Sequence, residues 1–197
     1  MPDNETKPIG RPRSLEVDES ILNAAADLVS ERGYAATSIE SIATRAKVGK
    51  PAIYRRWNSK AVMMTAVYQH LVPPQELKSD ADSFSNEFRH LLKNLFALYR
   101  NTSAGQVLAG LIADAQNDPQ TMEALMHGVI HERRVILIES VSRGVQRGEL
   151  SESLNLKEIN DLIVAMIWHR LLTECSKLNS AFIENIISTV IAIGGKK

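Results

Sequence analysis

Residues 37–60 read TSIESIATRAKVGKPAIYRRWNSK, a pattern of two short helices joined by a tight turn and followed by the start of a third. Thr37 and Glu40 stand at capping-box spacing, which predicts a helix start there. Ile39, Ile42, Ala43 and Ala46 recur at helical spacing, giving one apolar face with small residues that let another helix approach closely. The turn is expected at Ala46-Lys47-Val48-Gly49, with Val48 as its buried plug. A second helix should run from about Lys50 to Arg56, since Pro51 is tolerated in a first turn whose N–H groups lack helical partners. Ile53 and Trp57, four apart, would hold it down. Arg45, Lys47, Lys50, Arg55, Arg56 and Lys60 are basic, and no acid occurs between Ser41 and Lys60. A helical hairpin flanked by cations suits a helix-turn-helix entering the DNA major groove, although short helical hairpins with a chance basic excess are also common.

The order of residues narrows that choice. The run AKVGKPAIYRRWNSKAVM resembles the second half of the DNA-binding domain of TetR-family transcriptional regulators, with Tyr54, Trp57, Ser59 and Lys60 at the family's characteristic positions. The upstream ERGYAATS, residues 31–38, and the TSIESIA helix resemble the family too. The likeness is strong from Arg11 to Leu71 and weaker beyond. Two positions depart from the pattern. Lys47 stands where glycine is common, so it should take a left-handed conformation at a cost of about 1 kcal/mol. Gly49 stands where a serine or threonine cap is usual. The resemblance implies DNA contact by Arg11, Arg13, Thr37, Ser38, Lys47, Gly49, Lys50, Pro51, Ala52, Tyr54, Arg55 and Lys60. Thr37, Tyr54 and Lys60 would touch phosphates, and the residues around Lys50 and Arg55 would reach base edges.

Outward from this module the chain reads as all-α: a three-helix helix-turn-helix domain followed by a C-terminal helical bundle, about nine helices in all. Residues 1–14 read as a polar basic arm broken by prolines, in which Arg11 and Arg13 suit the minor groove of A·T-rich DNA; a plain solubilising tail fits the sequence equally, and the family resemblance implies the contact. Residues 15–72 make the DNA-binding domain and a linking helix from Ser59 to about Val72, closed by Pro73-Pro74. Its first helix, from about Val17 to Arg32, should end at Gly33. Residues 73–197 make the ligand-binding and dimerisation domain. There, an amphipathic helix at 82–100 is followed by a shorter one around Leu108 and Leu111. Asp118-Pro119 should start a long helix reaching about Arg147, with Met122, Leu125, Met126, Val129, Ile130, Leu137, Val141 and Val145 inward. Asn155 and Glu158 mark another helix start, and the chain ends on a helix from about Ser180 to Ile193.

The segment Arg143–Leu172, RGVQRGELSESLNLKEINDLIVAMIWHRLL, is similar to one C-terminal regulatory subgroup of the same family. In such proteins the last two helices form a four-helix dimer interface, which implies a homodimer through Leu162, Met166, His169, Phe182, Ile183, Ile186, Ile187 and Val190. The resemblance also raises a ligand pocket lined by Phe88, Leu92, Phe96, Tyr99, Leu111, Met122, Met126, Met166 and Trp168. Residue by residue, ordinary core packing is the better explanation of those side chains, and only the resemblance raises the pocket above it.

The 197 residues balance to a formal charge of zero, so nucleic-acid binding must come from local clustering. The single cysteine, Cys175, allows no internal disulfide. No apolar run reaches membrane-spanning length and the first residues are unlike a secretory signal, which points to the cytoplasm without membrane association. No phosphate-cradling glycine loop, nucleophile elbow or paired carboxylates support catalysis, and no cofactor is implied. His127 and His131, four apart, could share a helix face as metal ligands but lack an evident third. The expected partners are a palindromic double-stranded DNA operator, a second copy of the chain and a small, largely apolar effector that releases a repressor. A regulator whose C-terminal domain binds a protein partner, and a small helical enzyme with a basic surface, are the alternatives.

Overall fold

A computed structural model describes residues 13–79, 81–173 and 177–195. The helices are α1 (Arg13–Arg32), α2 (Ile39–Arg45), α3 (Lys50–Tyr54), α4 (Lys60–Leu71), α5 (Phe84–Asn101), α6 (Ala104–Ala115), α7 (Pro119–Leu125), α8 (Glu132–Gln146), α9 (Leu156–Thr173) and α10 (Ser180–Gly194). A 3-10 turn, Pro74–Leu77, follows α4, and a π-helical segment, Met126–His131, joins α7 to α8 without a break. With that joined rod counted once, the described residues hold nine helices. Their only extended pairing is an isolated antiparallel bridge between Leu150 and Gly195.

Local chemistry explains most helix ends. Asp118 accepts from the backbone N–H groups of Gln120 and Thr121 and opens α7 ahead of Pro119. Ser59, Ser83 and Asn179 cap α4, α5 and α10 in the same way, and Asn155 accepts from Lys157 and Glu158 ahead of α9. Gly33 ends α1 at φ +80°, where a side chain would be strained. Lys47 is the one non-glycine residue with positive φ, at +54°, among those described. Its conformation closes the α2–α3 turn, with the Val48 amide returning to the Ala43 carbonyl at 3.0 Å.

Four expectations are corrected. The cap of α2 is Ser38, whose hydroxyl accepts from the Ser41 amide while Ser41 reciprocates to Ser38 N. Thr37 is instead buried, and its hydroxyl donates to the Gly33 carbonyl at 2.9 Å. Arg13 belongs to α1 rather than to an arm, while residues 1–12, including Arg11, lie outside the described residues, as does Cys175. The long helix from Pro119 runs unbroken to Gln146, but with a π segment inside it. Leu125, Val129, Leu137 and Val141 are buried as expected, while Met126, Ile130 and Val145 are only half-buried; half-buried Arg133, in line with the buried stripe, lines the interior cavity.

The fourth correction concerns α10. Phe182, Ile183, Ile186, Ile187 and Val190 are buried within their own chain, and Phe182 stacks on Phe96 of α5 with ring centres 6.0 Å apart. The surface left open on the last two helices is a different one. It carries half-buried Leu162 and Met166, exposed His169, and the apolar Leu172, Ile191 and Ile193 at 42–55% exposure.

The N-terminal helices are tied to one another and to the bundle through close contacts. The Tyr34 ring lies so near Gly110 of α6 that a Cβ there would come within 2.1 Å of it. Ser103 donates to the Ala26 carbonyl at 2.9 Å, and His70 of α4 pairs with Asn23 of α1 at 2.8 Å. None of the described helices is long and apolar enough to cross a membrane.

Candidate nucleic-acid interface and effector cavity

The hairpin presents a small outward surface. Ile53 is the one buried residue of α3, and Val48 and Trp57 pack against the core beside it. With Ile53 down, Lys50, Pro51, Tyr54 and Arg55 are exposed, Ala52 is half-buried, and Lys47, Gly49 and Ser38 are exposed next to them. Tyr54 is 51% exposed, unusual for an aromatic side chain without a partner. Of the residues expected at DNA, this brings together Ser38, Lys47, Gly49, Lys50, Pro51, Ala52, Tyr54 and Arg55. The Thr37 hydroxyl is withdrawn from that surface by its bond to Gly33.

The cations of the hairpin divide into two groups. Arg45 forms a two-pronged pair with Glu31 of α1 at 2.6 and 2.9 Å, and Arg56 pairs with Asp18 of α1. These two arginines fasten the hairpin to α1. The Glu31–Arg45 hydrogen bonds hold the Glu31 carboxyl below the usual carboxylate range. Lys50 lies 3.5 Å from Glu40 in an exposed pair of little energetic weight. Lys47 and Arg55 have no ion-pair partner among the described residues. Lys60, at the first turn of α4, stands 4.5 Å over the Tyr34 ring and is 3.4 Å from the Tyr34 carbonyl; burial lowers its pKa.

From Lys60, α4 runs away from this surface to a cavity of about 50 Å³ in the helical bundle. Its walls come from Tyr68 of α4, Leu91, Leu95 and Tyr99 of α5, Leu108 of α6, Val129 and Ile130 of the π segment, Arg133, Ile136 and Leu137 of α8, and Val164, Ile167 and Trp168 of α9, with Leu77 closing one side. The Tyr68 and Tyr99 hydroxyls share a hydrogen bond of 2.8 Å, and burial pushes the Tyr68 phenol up. Arg133 lies 5.3 Å from the centre of the Tyr68 ring and donates through Nη2 to the Val72 carbonyl at the end of α4. Its Nε and Nη1 are buried with no hydrogen-bond partner.

Of the pocket expected from sequence, Tyr99 and Trp168 line this cavity. Phe88, Leu92, Phe96 and Leu111 are buried in the surrounding core, with Phe88 stacked on Phe84 at 5.2 Å. Met122, Met126 and Met166 are half-buried and do not line it. Tyr68, Leu77 and Arg133 were not anticipated. The available signal for Arg133 was its place four residues after Val129, but a basic residue is not normally sought on an inward stripe.

α4 is also gripped at the π segment. Gln69 donates to the Gly128 carbonyl at 2.8 Å, and Thr65 packs so closely on Gly128 that a Cβ there would lie 2.1 Å from its methyl. The rings of His127 and His131 meet edge to face at 5.2 Å, and among the described residues no three His, Cys, Asp or Glu side chains cluster to hold a metal.

Comparison with known proteins places this geometry. The model of bacterial regulatory proteins of the tetR family matches residues 21–67, and that of the tetracyclin repressor-like C-terminal domain matches residues 78–190. The chain is 30% identical over 178 residues to the uncharacterized HTH-type transcriptional regulator YdeS of Bacillus subtilis, covering 90% of this chain and 89% of that one. It is 26% identical over 183 residues to the DNA-binding transcriptional repressor TetR of Mycobacteroides abscessus, covering 88% and 91%. Among solved structures, TetR family transcription regulator SCO0332 superposes with a TM-score of 0.76 at 22% identity, covering 90% of this chain and 97% of that one. Bacillus subtilis FadR in complex with stearoyl-CoA superposes with a TM-score of 0.69 at 18% identity, covering 91% and 99%. With both halves matched by family models and a relative this similar along nearly its whole length, the chain belongs to the TetR family of helix-turn-helix transcriptional regulators.

Proposed function

We propose that this regulator is a homodimeric repressor that reads a palindromic operator and lets go of it when a small effector enters the C-terminal bundle. The observation that carries this reading is the path of α4. Lys60 at one end sits beside the exposed hairpin, while Tyr68 and the Val72 carbonyl at the other end meet the cavity and Arg133. Residues 13–72 would act as the reading head and residues 73–195 as the sensing and pairing part. Arg55, Lys50, Pro51 and Ala52 would face base edges, while Ser38, Lys47, Tyr54 and Lys60 would hold phosphates and set register.

Leu172 of α9 and Ile191 and Ile193 of α10, exposed in the single chain, support pairing of two copies through the last two helices. A two-fold axis would then place two reading heads on half-sites about one or more helical turns apart. Such a protein works on the chromosome, in the cytoplasm. The repressor among its relatives supports repression, and the FadR neighbour solved with stearoyl-CoA supports a small-molecule effector. An effector can shift α4 only by binding one of its two positions better than the other.

The free volume of about 50 Å³ is far below the roughly 300 Å³ of a usual ligand pocket. On the present reading this is the closed form, and the helices part when the ligand enters. The same tightness favours a second reading, in which the C-terminal helices receive a protein partner and no ligand. Selection of randomised duplex DNA on the purified protein, followed by sequencing, tests the main claim. A palindromic consensus is expected, and retention of DNA without a consensus would overturn sequence-specific reading.

A further inference from the structure

Arg133 is the one charged side chain among the described residues lining the cavity, and its surroundings leave it incompletely satisfied. One donor caps the C-terminal end of α4 at the Val72 carbonyl, a favourable place for a cation. The guanidinium has five N–H donors, and those on Nε and Nη1 are buried without an acceptor. No carboxylate pairs with Arg133 among the described residues, whereas Glu87, the buried carboxylate of the same bundle, is held by both Arg143 and Arg147. The side chain as a whole is half-buried, but its two buried nitrogens without an acceptor cost free energy that a partner would return.

The vacant donors specify what would satisfy them. A carboxylate supplies oxygen acceptors and the single negative charge that balances one guanidinium. A dianionic phosphate would bring more charge than this one cation matches, and a neutral ligand would leave the cation unpaired. Leucine, isoleucine and valine side chains make up most of the remaining wall, so the rest of the ligand is apolar. Next door, a cleft of about 220 Å³ shares Leu77, Leu91 and Ile136 with the cavity, and Lys78, Ser79, Glu87, Glu139 and Arg143 line the rest of it.

We propose that the effector is a monocarboxylate with a compact apolar body, and that Arg133 receives its carboxylate through one of its two unmet nitrogens, Nε or Nη1. This rests on the reading of the bundle as an effector site and adds the chemical class. Because the same guanidinium holds the end of α4, the anion is recognised at the point where the linking helix is fastened.

The test measures binding of octanoate and benzoate, with octanamide and benzamide as neutral counterparts, to the full-length protein by titration calorimetry at neutral pH. The same four compounds are added to the protein on its selected operator. Carboxylates are expected to bind about tenfold to a hundredfold more tightly than the amides. Arg133→Met should abolish that preference, and Arg133→Lys, which retains the charge, should keep part of it. Circular dichroism and a melting curve establish that both variants are folded. Equal binding of acids and amides, with release of DNA by both, would overturn the anionic class and leave the effector reading standing. Carboxylate binding unchanged in folded Arg133→Met would overturn the role of Arg133. Failure of all four to bind a protein that still selects DNA would overturn the proposal and the effector reading together.

Discussion

Two stretches of the same rod treat charge in opposite ways. At its C-terminal half, Arg143 and Arg147 close on Glu87 of α5, with Arg143 Nε donating at 2.9 Å and Arg147 Nη2 at 3.2 Å. Glu87 is 1% exposed, and every strong acceptor it offers is met. Ten residues earlier, Arg133 is turned inward with two nitrogens unmet and no ion pair to a carboxylate among the described residues. The first arrangement is finished when the chain folds. The second stays incomplete within the described residues. The hairpin repeats the contrast at the surface: Arg45 and Arg56 are committed to Glu31 and Asp18, while Lys47 and Arg55 are not paired. A charge with its partner in the chain serves the fold, and a charge without one marks where a ligand or nucleic acid is to be sought.

The largest expected effect is at the closed site. Glu87→Ala leaves two arginines facing a vacated buried position and should cost about 3 kcal/mol of stability in denaturant unfolding, the low end for a broken buried pair because both arginines can turn towards water. Arg133→Met should instead change the stability of the free protein by less than about 1 kcal/mol in either direction, since the lost cap on α4 is offset by relief of the buried cation. Equal losses in the two variants would erase the distinction between the sites.

Acid should separate them as well. Burial pushes the Glu87 carboxyl up, but the hydrogen bonds led by Arg143 outweigh it, so its pKa lies below the ordinary carboxylate value. A carboxylate with a depressed folded pKa contributes stability that is fully present above its unfolded value, near 4.3, and is lost as pH falls through the folded one. Melting curves from pH 6 down to pH 3 should converge for the wild type and Glu87→Gln, while the offset of Arg133→Met from the wild type should hold constant. A Glu87→Gln offset that does not shrink in acid would remove the ion pairs from the account.

At the hairpin the same contrast predicts a split between stability and DNA binding. Arg55→Ala should leave the melting temperature unchanged while weakening operator binding by about tenfold to a hundredfold, as loss of one base-edge contact does. Arg45→Ala should lower the melting temperature, and its effect on DNA should follow only from loosening of the hairpin. The smallest effect is at Lys47. Lys47→Gly removes a strained left-handed lysine and should stabilise the protein by about 0.5 kcal/mol, after subtraction of glycine's entropy cost in the unfolded chain. It should also lower the magnitude of the salt dependence of DNA binding by about one unit, if the ammonium meets a phosphate. A melting gain with an unchanged salt slope would leave Lys47 a turn residue only.

The helices and the two short elements of the reading head were legible along the chain. Gly33, the Lys47 turn, Pro51, Ser59 and Asp118-Pro119 all act over one helical turn, so their consequences show in the nearest few residues. The capping of α2 was missed by one position because Thr37 and Ser38 are both competent caps, and packing against Gly33 chose which one turned inward. The inward stripe of the long rod was legible, with Leu125, Val129, Leu137 and Val141 buried as their spacing predicts, but Arg133 in line with them was passed over because a cation is not sought on an apolar stripe. The apolar band of α10 announced burial but not what covers it. In the fold α5 covers it, which moves the candidate pairing surface to Leu172, Ile191 and their neighbours.

The sequence therefore settled an all-helical chain, the hairpin and its cations, and the family to which they belong, because these depend on spacing within a turn or two. Which cations are spent and which are left over emerged only on folding. Glu87 and Arg143 are separated by 56 positions, and the cavity draws on five helices and the π segment. Charge pairing and enclosed volume depend on where distant side chains come to rest, and no local pattern carries that information.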